Sequence, residues 1–238
     1  MIDVTIIPIL NDNYSYLIKS AGKTAIIDPG EAKPVIDYLE EHDLHLDYIL
    51  NTHHHGDHIS GNAALKDKYG AIIAGPKSES HKIAALDQHL TEADQFIFGD
   101  ESAQIIETPG HTLGHICFYF AESKILFSGD TLFSMGCGRL FEGTPEQMWD
   151  SLEKINALPD ETMIYCGHEY TASNGAFCLT QEPDNHALKE RMAQVKALRA
   201  NNEPTVPVSL ATEKETNVFL RAKNATHFAE LRSLKDNS

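Results

Sequence analysis

Residues 52–58 read Thr-His-His-His-Gly-Asp-His, which sets four potential metal ligands, His53, His55, Asp57 and His58, within a single short stretch. Imidazole and carboxylate are ligand types that hold zinc and similar divalent ions. On extended backbone, residues two apart point the same way, so His53 and His55 can share one ion while His54 points elsewhere. Asp57 and His58 are then left to approach a second ion from the adjoining turn. A solvated polar tract is the competing reading of so short a motif. Three more positions weigh against it: His111 in Thr-Pro-Gly-His-Thr-Leu-Gly-His (108–115), Asp130 in Leu-Phe-Ser-Gly-Asp-Thr (126–131) and His168 in Tyr-Cys-Gly-His-Glu-Tyr-Thr (165–171). Each follows a short apolar run and lies next to glycine. Alone, each would pass for a structural histidine or a turn aspartate. Together they describe ligands carried on loops at strand ends, where residues far apart in sequence converge.

Elements able to deliver such loops are legible along the first 170 residues. Short β-like runs at Val4–Leu10, Tyr14–Lys19 and Thr24–Ile27 precede a helix over about Ala32–Glu41, and the run Tyr48–Asn51 leads into the histidine loop. A helix over about Gly61–Lys68 follows, then strands near Ala71–Ala74, Ala103–Glu107, Ile116–Phe120 and Lys124–Phe127. Thr144-Pro145 opens a helix that runs to about Ile155, with threonine as cap and proline in the first turn, and the strand Thr162–Tyr165 ends just before His168. Beyond residue 170 the pattern turns helical, with segments over Asp184–Ala200 and Ala225–Leu234 joined through Pro204 and Pro207. Mixed strands and helices of this kind predict an α/β fold in layers.

With all seven ligand positions in view, the chain resembles the metallo-β-lactamase superfamily and, within it, glyoxalase II, the hydroxyacylglutathione hydrolases. The resemblance runs from Asn11-Asp12-Asn13-Tyr14 to the Arg232 and Lys235 pair. It implies a four-layer αββα sandwich over residues 1–170 and a small helical, substrate-binding domain over 171–238. It also implies two divalent ions, one held by His53, His55 and His111, the other by Asp57, His58 and His168, with Asp130 bridging them. Zinc is the expected metal, with iron or manganese as alternatives that the same ligands accept.

The activity implied is hydrolysis of S-(2-hydroxyacyl)glutathione, above all S-lactoylglutathione. Two close divalent ions can share a water, lower its pKa and hold the bridging hydroxide as nucleophile, and they can polarise the thioester carbonyl. Asp57, besides binding metal, can orient that hydroxide. The resemblance also places Arg139, Tyr170, Arg232 and Lys235 around glutathione, whose two carboxylates suit arginine and lysine. Phe141 stands where many relatives have tyrosine, and Val218 where proline is common. His54, His115 and Glu169 are candidates for orienting ligands or stabilising loops, the structural role being favoured for both histidines. An iron-dependent glutathione persulfide dioxygenase of the same superfamily, or a metal-binding protein without catalysis, are the alternatives. The C-terminal helices and their basic pair favour the hydrolase.

Composition narrows the partners. A 238-residue chain with 42% apolar residues can build a sizeable core. Its net charge of −16 is concentrated in residues 1–170, which carry 27 acidic against 10 basic side chains, whereas residues 171–238 carry 8 against 9. So acidic a surface argues against nucleic acid as a partner. An anionic substrate must therefore be met by local positive charge. No run approaches the length of a membrane span, and Cys117, Cys137, Cys166 and Cys178 are scattered as thiols of a reducing compartment would be. The expectation is a cytoplasmic monomer with a small-molecule substrate and no membrane partner. A nucleophilic role for Cys137 or Cys166, which flank site loops, has little room beside a metal-activated water.

Overall fold

Apolar runs that would be overlong for half-buried strands become strands buried on both faces. In the computed structural model, which describes residues 1–238, the chain forms two units, Met1–Glu107 with Gly114–Ser123, and Thr108–Leu113 with Lys124–Ser238.

The first unit opens with an antiparallel meander of β1 (Asp3–Ile9), β2 (Asn13–Ser20) and β3 (Lys23–Ile27). Helix α1 (Ala32–Glu41) then returns the chain to β4 (Tyr48–Leu50), and from there the sheet grows in parallel. The short helix α2 (Gly56–Ile59) and α3 (Asn62–Tyr69) lead to β5 (Ile72–Pro76) and β6 (Gln88–Leu90), both parallel additions. Val35 and Leu39, one turn apart on α1, are fully buried and join Ile7, Leu17, Ile26, Ile49, Leu65 and Ile73 in one core. Each such side chain contributes roughly 1.5–3 kcal/mol by leaving water. A second ladder, β7 (Gln95–Phe98), β8 (Glu101–Glu107) and β9 (Ile116–Phe120), is antiparallel. Phe96 and Phe98 meet the edge of Tyr48 at 5.2 and 6.3 Å.

In the second unit β10 (Ile125–Gly129) is followed by a small hairpin, β11 (Leu132–Phe133) and β12 (Gly136–Cys137). Helix α4 (Pro145–Asn156) comes next, then β13 (Met163–Cys166), parallel to β10. Thr144 caps α4 in a reciprocal pair with Gln147, as the Thr-Pro start predicts. Helices α5 (Thr171–Gln181) and α6 (His186–Ala200), strand β14 (Val208–Ser209) and helices α7 (Leu210–Thr216) and α8 (Ala225–Asp236) complete the chain. Asn185, Ser209 and Asn224 cap α6, α7 and α8 through their side chains. Phe219 joins these helices, stacked on Phe177 at 5.8 Å and edge-on to Phe228 at 5.9 Å.

The long elements match the sequence expectations to within two residues, except α5, for which the sequence reading gives no helix. The short ones do not: β6, β7 and β14 are too brief to show alternation. Helix α5 opens with Thr, Ser, Asn and Gly around a single Ala, mostly weak helix formers, and it packs on α6.

One buried carboxylate holds the hairpin to the helices. Glu213 of α7 is fully buried and accepts hydrogen bonds from Ser134 Oγ (3.2 Å), Met135 N (2.8 Å) and Asn217 Nδ2 (2.9 Å). Asn217 Nδ2 also donates to the carbonyls of Phe133 (3.3 Å) and Gly136 (3.0 Å). Burial pushes the Glu213 carboxyl up from 4.5 to about 7. Between those values the folded chain keeps a proton that the unfolded chain has released. The stabilisation is therefore complete below the unfolded value and is lost as pH rises through about 7. Glutamine fits the same partners, its amide donating to Ser134 Oγ and its carbonyl accepting from Met135 N. We expect Glu213→Gln to gain on the wild type by on the order of 3 kcal/mol between pH 5 and pH 8. Urea unfolding at several pH values checks this, and a stability difference independent of pH would reject it.

Candidate metal centre

In the first unit, parallel pairing brings two strand ends together. Ile27 of β3 lies opposite Leu50 of β4, and Asp28 N donates to Leu50 O at 2.9 Å. Asp28 thus emerges beside the loop that carries the histidines. Its carboxylate, 3% exposed, accepts from Thr52 N (2.8 Å), Thr52 Oγ1 (2.7 Å) and His58 Nδ1 (3.0 Å). Because Thr52 Oγ1 gives its proton to Asp28, it accepts from His53 Nδ1 at 3.0 Å. One carboxylate therefore orients both His53 and His58 through Nδ1 and leaves Nε2 of each neutral ring with the lone pair that could hold a metal. His53 Nε2 lies 3.1 Å from His55 Nδ1, and ligand atoms of Asp28, His53 and His58 lie within 4.8 Å of one another.

Asp57 and His58 stand in α2, whose first turn starts at His55. Asn13 Nδ2 donates to Asp57 Oδ2 at 2.9 Å, and that oxygen is 3.5 Å from His58 Nε2. Backbone packing sets this geometry too: a Cβ on Gly30 would stand 1.8 Å from Asp57 O. His54 points away, as expected, with Nδ1 2.9 Å from Glu79 Oε2. His115 is fully buried and stacks on His53 with centroids 4.9 Å apart.

The second unit repeats the arrangement. Gly129 of β10 pairs with Cys166 of the parallel β13, so Asp130 and His168 leave adjacent strand ends. Asp130 Oδ2 is 3.4 Å from His168 Nε2 and 3.3 Å from His111 Nε2. His111 Nδ1 donates to Arg139 O at 2.8 Å, so the neutral ring carries its lone pair on Nε2. On neutral rings such a lone pair faces a carboxylate oxygen repulsively, and an intervening cation or a second ring proton is what relieves it. His111, Asp130 and His168 are all buried, 4%, 5% and 5% exposed, so water does little to relieve that repulsion. The donor set in each unit fits divalent metal ions. Gly138 holds the loop close, since a Cβ there would stand 1.9 Å from Asp130 O.

Residues expected to contact substrate gather in the second unit. Tyr170 lies flat on His168, centroids 4.6 Å apart and planes at 9°, and Phe141, 63% exposed, meets the edge of His111 at 5.2 Å. Arg139 is exposed. Arg232, by contrast, is 6% exposed, with Nη1 donating to Cys137 O at 3.0 Å and its guanidinium over Phe219 at 5.1 Å. Lys235 lies over Phe177 at 5.5 Å with Nζ 3.4 Å from Ser173 O, and burial followed by the neighbouring Arg232 charge pulls its pKa down. Glu169 accepts from Thr205 N and Oγ1 at 2.8 and 2.7 Å, a loop-stabilising role. Val218 is buried at 3% exposure.

Asp28, Asn13 and Glu79 are absent from the sequence-based assignment. The one signal for Asp28 is an Asp-Pro-Gly following an apolar run, which is also an ordinary turn.

A profile of the Metallo-beta-lactamase superfamily matches residues 10–168, and one described as Hydroxyacylglutathione hydrolase C-terminus matches residues 169–238. A hydroxyacylglutathione hydrolase of Pelagibacter ubique (strain HTCC1062) is 51% identical over 239 residues, covering 99% of each chain. The crystal structure of ETHE1 from Myxococcus xanthus superposes with a TM-score of 0.73 at 25% identity, over 98% of this chain and 90% of its own. TTHA1623 in a di-iron-bound form superposes with a TM-score of 0.59 at 27% identity, over 70% and 91% of the two chains.

Neither cysteine beside the site is built to attack. Burial pushes the Cys137 thiol up to about 11 and the Cys166 thiol up to about 12, far from the range of a thiolate nucleophile at neutral pH. Cys137→Ala and Cys166→Ala are expected to keep hydrolytic turnover within about threefold of wild type, and an acyl-enzyme trapped on either thiol in mass spectra would overturn the expectation.

Proposed function

The chain belongs to the hydroxyacylglutathione hydrolases of the metallo-β-lactamase superfamily and has that superfamily's αββα fold, and from this premise we propose that it hydrolyses S-lactoylglutathione at two divalent ions. It is a metal-dependent thioester hydrolase acting on hydroxyacylglutathione. One observation carries the substrate assignment: residues 169–238 match the hydroxyacylglutathione hydrolase C-terminus and contribute Tyr170, Arg232 and Lys235, in a chain whose net charge is −16.

On this reading His53, His55 and His111 hold one ion, Asp57, His58 and His168 the other, and Asp130 joins both. Zinc is the proposed occupant, with iron or manganese accepted by the same donors. When bound, such a pair supplies Lewis acidity towards water and carbonyl oxygen. The chain does the rest. Asp28 and Thr52 hold His53 and His58 in their ligating tautomers. Asp57, steadied by Asn13, orients the attacking water by accepting its hydrogen bond. Arg139, Tyr170, Arg232 and Lys235 bind the glutathione part and place the thioester carbonyl. The free, buried thiols suit a reducing cytoplasm, and the enzyme acts there as a monomer on a small molecule.

Asp130→Ala should lower turnover of S-lactoylglutathione by at least about 100-fold and reduce bound metal measured by elemental analysis. Full activity with both metals retained would remove Asp130 from the bridging role. Lys235→Ala tests the substrate assignment separately. Its KM for S-lactoylglutathione should rise about 5-fold or more with kcat nearly unchanged, because the contact is equally strong in ground and transition states. An equal loss on a lactoyl thioester of a small neutral thiol would mean that Lys235 serves the fold and not the glutathione carboxylates.

A further inference from the structure

Arg139 is 59% exposed, and a side chain of its length and exposure would ordinarily sample many rotamers. It is held instead. Its Nε donates to Asp236 Oδ1 at 3.2 Å, and the same oxygen accepts from Arg232 Nη2 at 2.9 Å. Arg232 is itself fixed by its second contact, Nη1 to Cys137 O at 3.0 Å. Asp236, in the last turn of α8, thus joins an arginine of the loop after β12 to an arginine of its own helix.

Anchoring Nε constrains the Arg139 guanidinium while its two Nη groups make no hydrogen bond within the fold, on a side chain that is 59% exposed. The Nη1–Nη2 edge matches the two oxygens of a carboxylate. Lys235 belongs to the same electrostatic neighbourhood, since the charges of Arg232, Arg139 and Asp236 all act on it. An exposed ion pair adds little to stability. A fixed guanidinium, however, spares an incoming anion the entropy of ordering it.

We propose that Asp236 is a positioning residue for substrate recognition: one carboxylate oxygen ties Arg139 to Arg232 and so presents the outer edge of Arg139 to a carboxylate of the glutathione part. The proposal rests on the glutathione-thioester reading above and gives that reading an internal device. A rival role is also defined by the geometry. If Asp236 merely occupied the cations, it would compete with substrate, and its removal would tighten binding.

Steady-state kinetics of the metal-loaded enzyme separate these roles. Asp236→Ala, Asp236→Asn, Arg139→Ala and the Asp236→Ala/Arg139→Ala double variant are compared on S-lactoylglutathione and on a lactoyl thioester of a small neutral thiol. Asp236→Ala should raise KM for S-lactoylglutathione about 5- to 10-fold with kcat within about twofold. Asp236→Asn keeps an acceptor oxygen and should fall between it and wild type, which also provides a folded variant should alanine beside the buried Arg232 prove unstable. The double variant should be no worse than Arg139→Ala alone, because the two residues act through one contact. Kinetics on the neutral thioester should not change. A lowered KM in Asp236→Ala or Asp236→Asn would establish competition, and additive losses or equal damage on the neutral thioester would establish a structural role; each overturns the proposal. Wild type that turns over S-lactoylglutathione while Asp236→Ala keeps its KM rejects this inference alone. Wild type that neither binds nor hydrolyses it rejects the function and the inference together.

Discussion

Parallel pairing of neighbouring strands is the constraint on which both sets of ligands depend. Two parallel strands in register end on the same edge, so the residues that follow them emerge side by side whatever their separation in sequence. The β3–β4 pair does this for Asp28 and the histidine loop, and the β10–β13 pair does it for Asp130 and His168. In each unit a glycine lies against the backbone of a ligand-bearing residue, Gly30 against Asp57 O and Gly138 against Asp130 O, at 1.8 and 1.9 Å from where a Cβ would be. Any side chain there would displace the backbone of Asp57 or Asp130. Strand pairing thus sets the location, and backbone contact without side chains sets the finer geometry.

The two units orient their histidines by different means. Asp28 is a buried anion, a group whose desolvation costs several kcal/mol unless its oxygens are satisfied. Three hydrogen bonds from Thr52 and His58 satisfy them. In return it orients two imidazoles at once, directly at His58 and through the Thr52 hydroxyl at His53. In the second unit the neutral carbonyl of Arg139 performs that task for His111. His58 is thus held by a carboxylate and His111 by a neutral carbonyl. The ligand sets therefore differ in electrostatics although their donor types are similar.

The candidate ligands were legible because their chemistry resides in residue type and spacing: His53, His55, Asp57 and His58 crowd into one loop, and His111, Asp130 and His168 follow apolar runs beside glycine. The groups that orient them were not. Asp28 and Asn13 act through contacts that exist only once strands pair, and a lone aspartate before Pro-Gly carries the same local signature as any turn. The same distinction separates the elements. Strands β1, β2, β3 and β5 and helix α1 have enough residues for hydrophobic pattern to identify them, whereas β14 is two residues long and α5 opens mostly on weak helix formers. Arg232 shows how far helical spacing reaches. Three-residue spacing from Lys235 places the two residues on the same side of α8, but it does not reveal that the Arg232 guanidinium is buried between Cys137 O, Phe219 and Asp236.

Electrostatics at longer range works against the proposed substrate. A chain of net charge −16 repels a thioester bearing carboxylates, although at physiological ionic strength this field fades within about 8 Å of its sources. Recognition must then come from charges that the ligand touches. On the proposed reading Arg139 and Lys235 are the cations most within reach of such a ligand, while the buried Arg232 sets its charge against that of Asp236, so that a local positive excess remains in an acidic protein. Their value depends on position as much as on sign, because a mobile guanidinium loses to ordering part of what it gains from the contact. Arg139 links this recognition to the chemistry, since its carbonyl orients His111 while its side chain is held by Asp236. A shift of the loop to accommodate a different anion would move that carbonyl as well, so selection of the substrate and alignment of a metal ligand are constrained by the same few atoms of backbone.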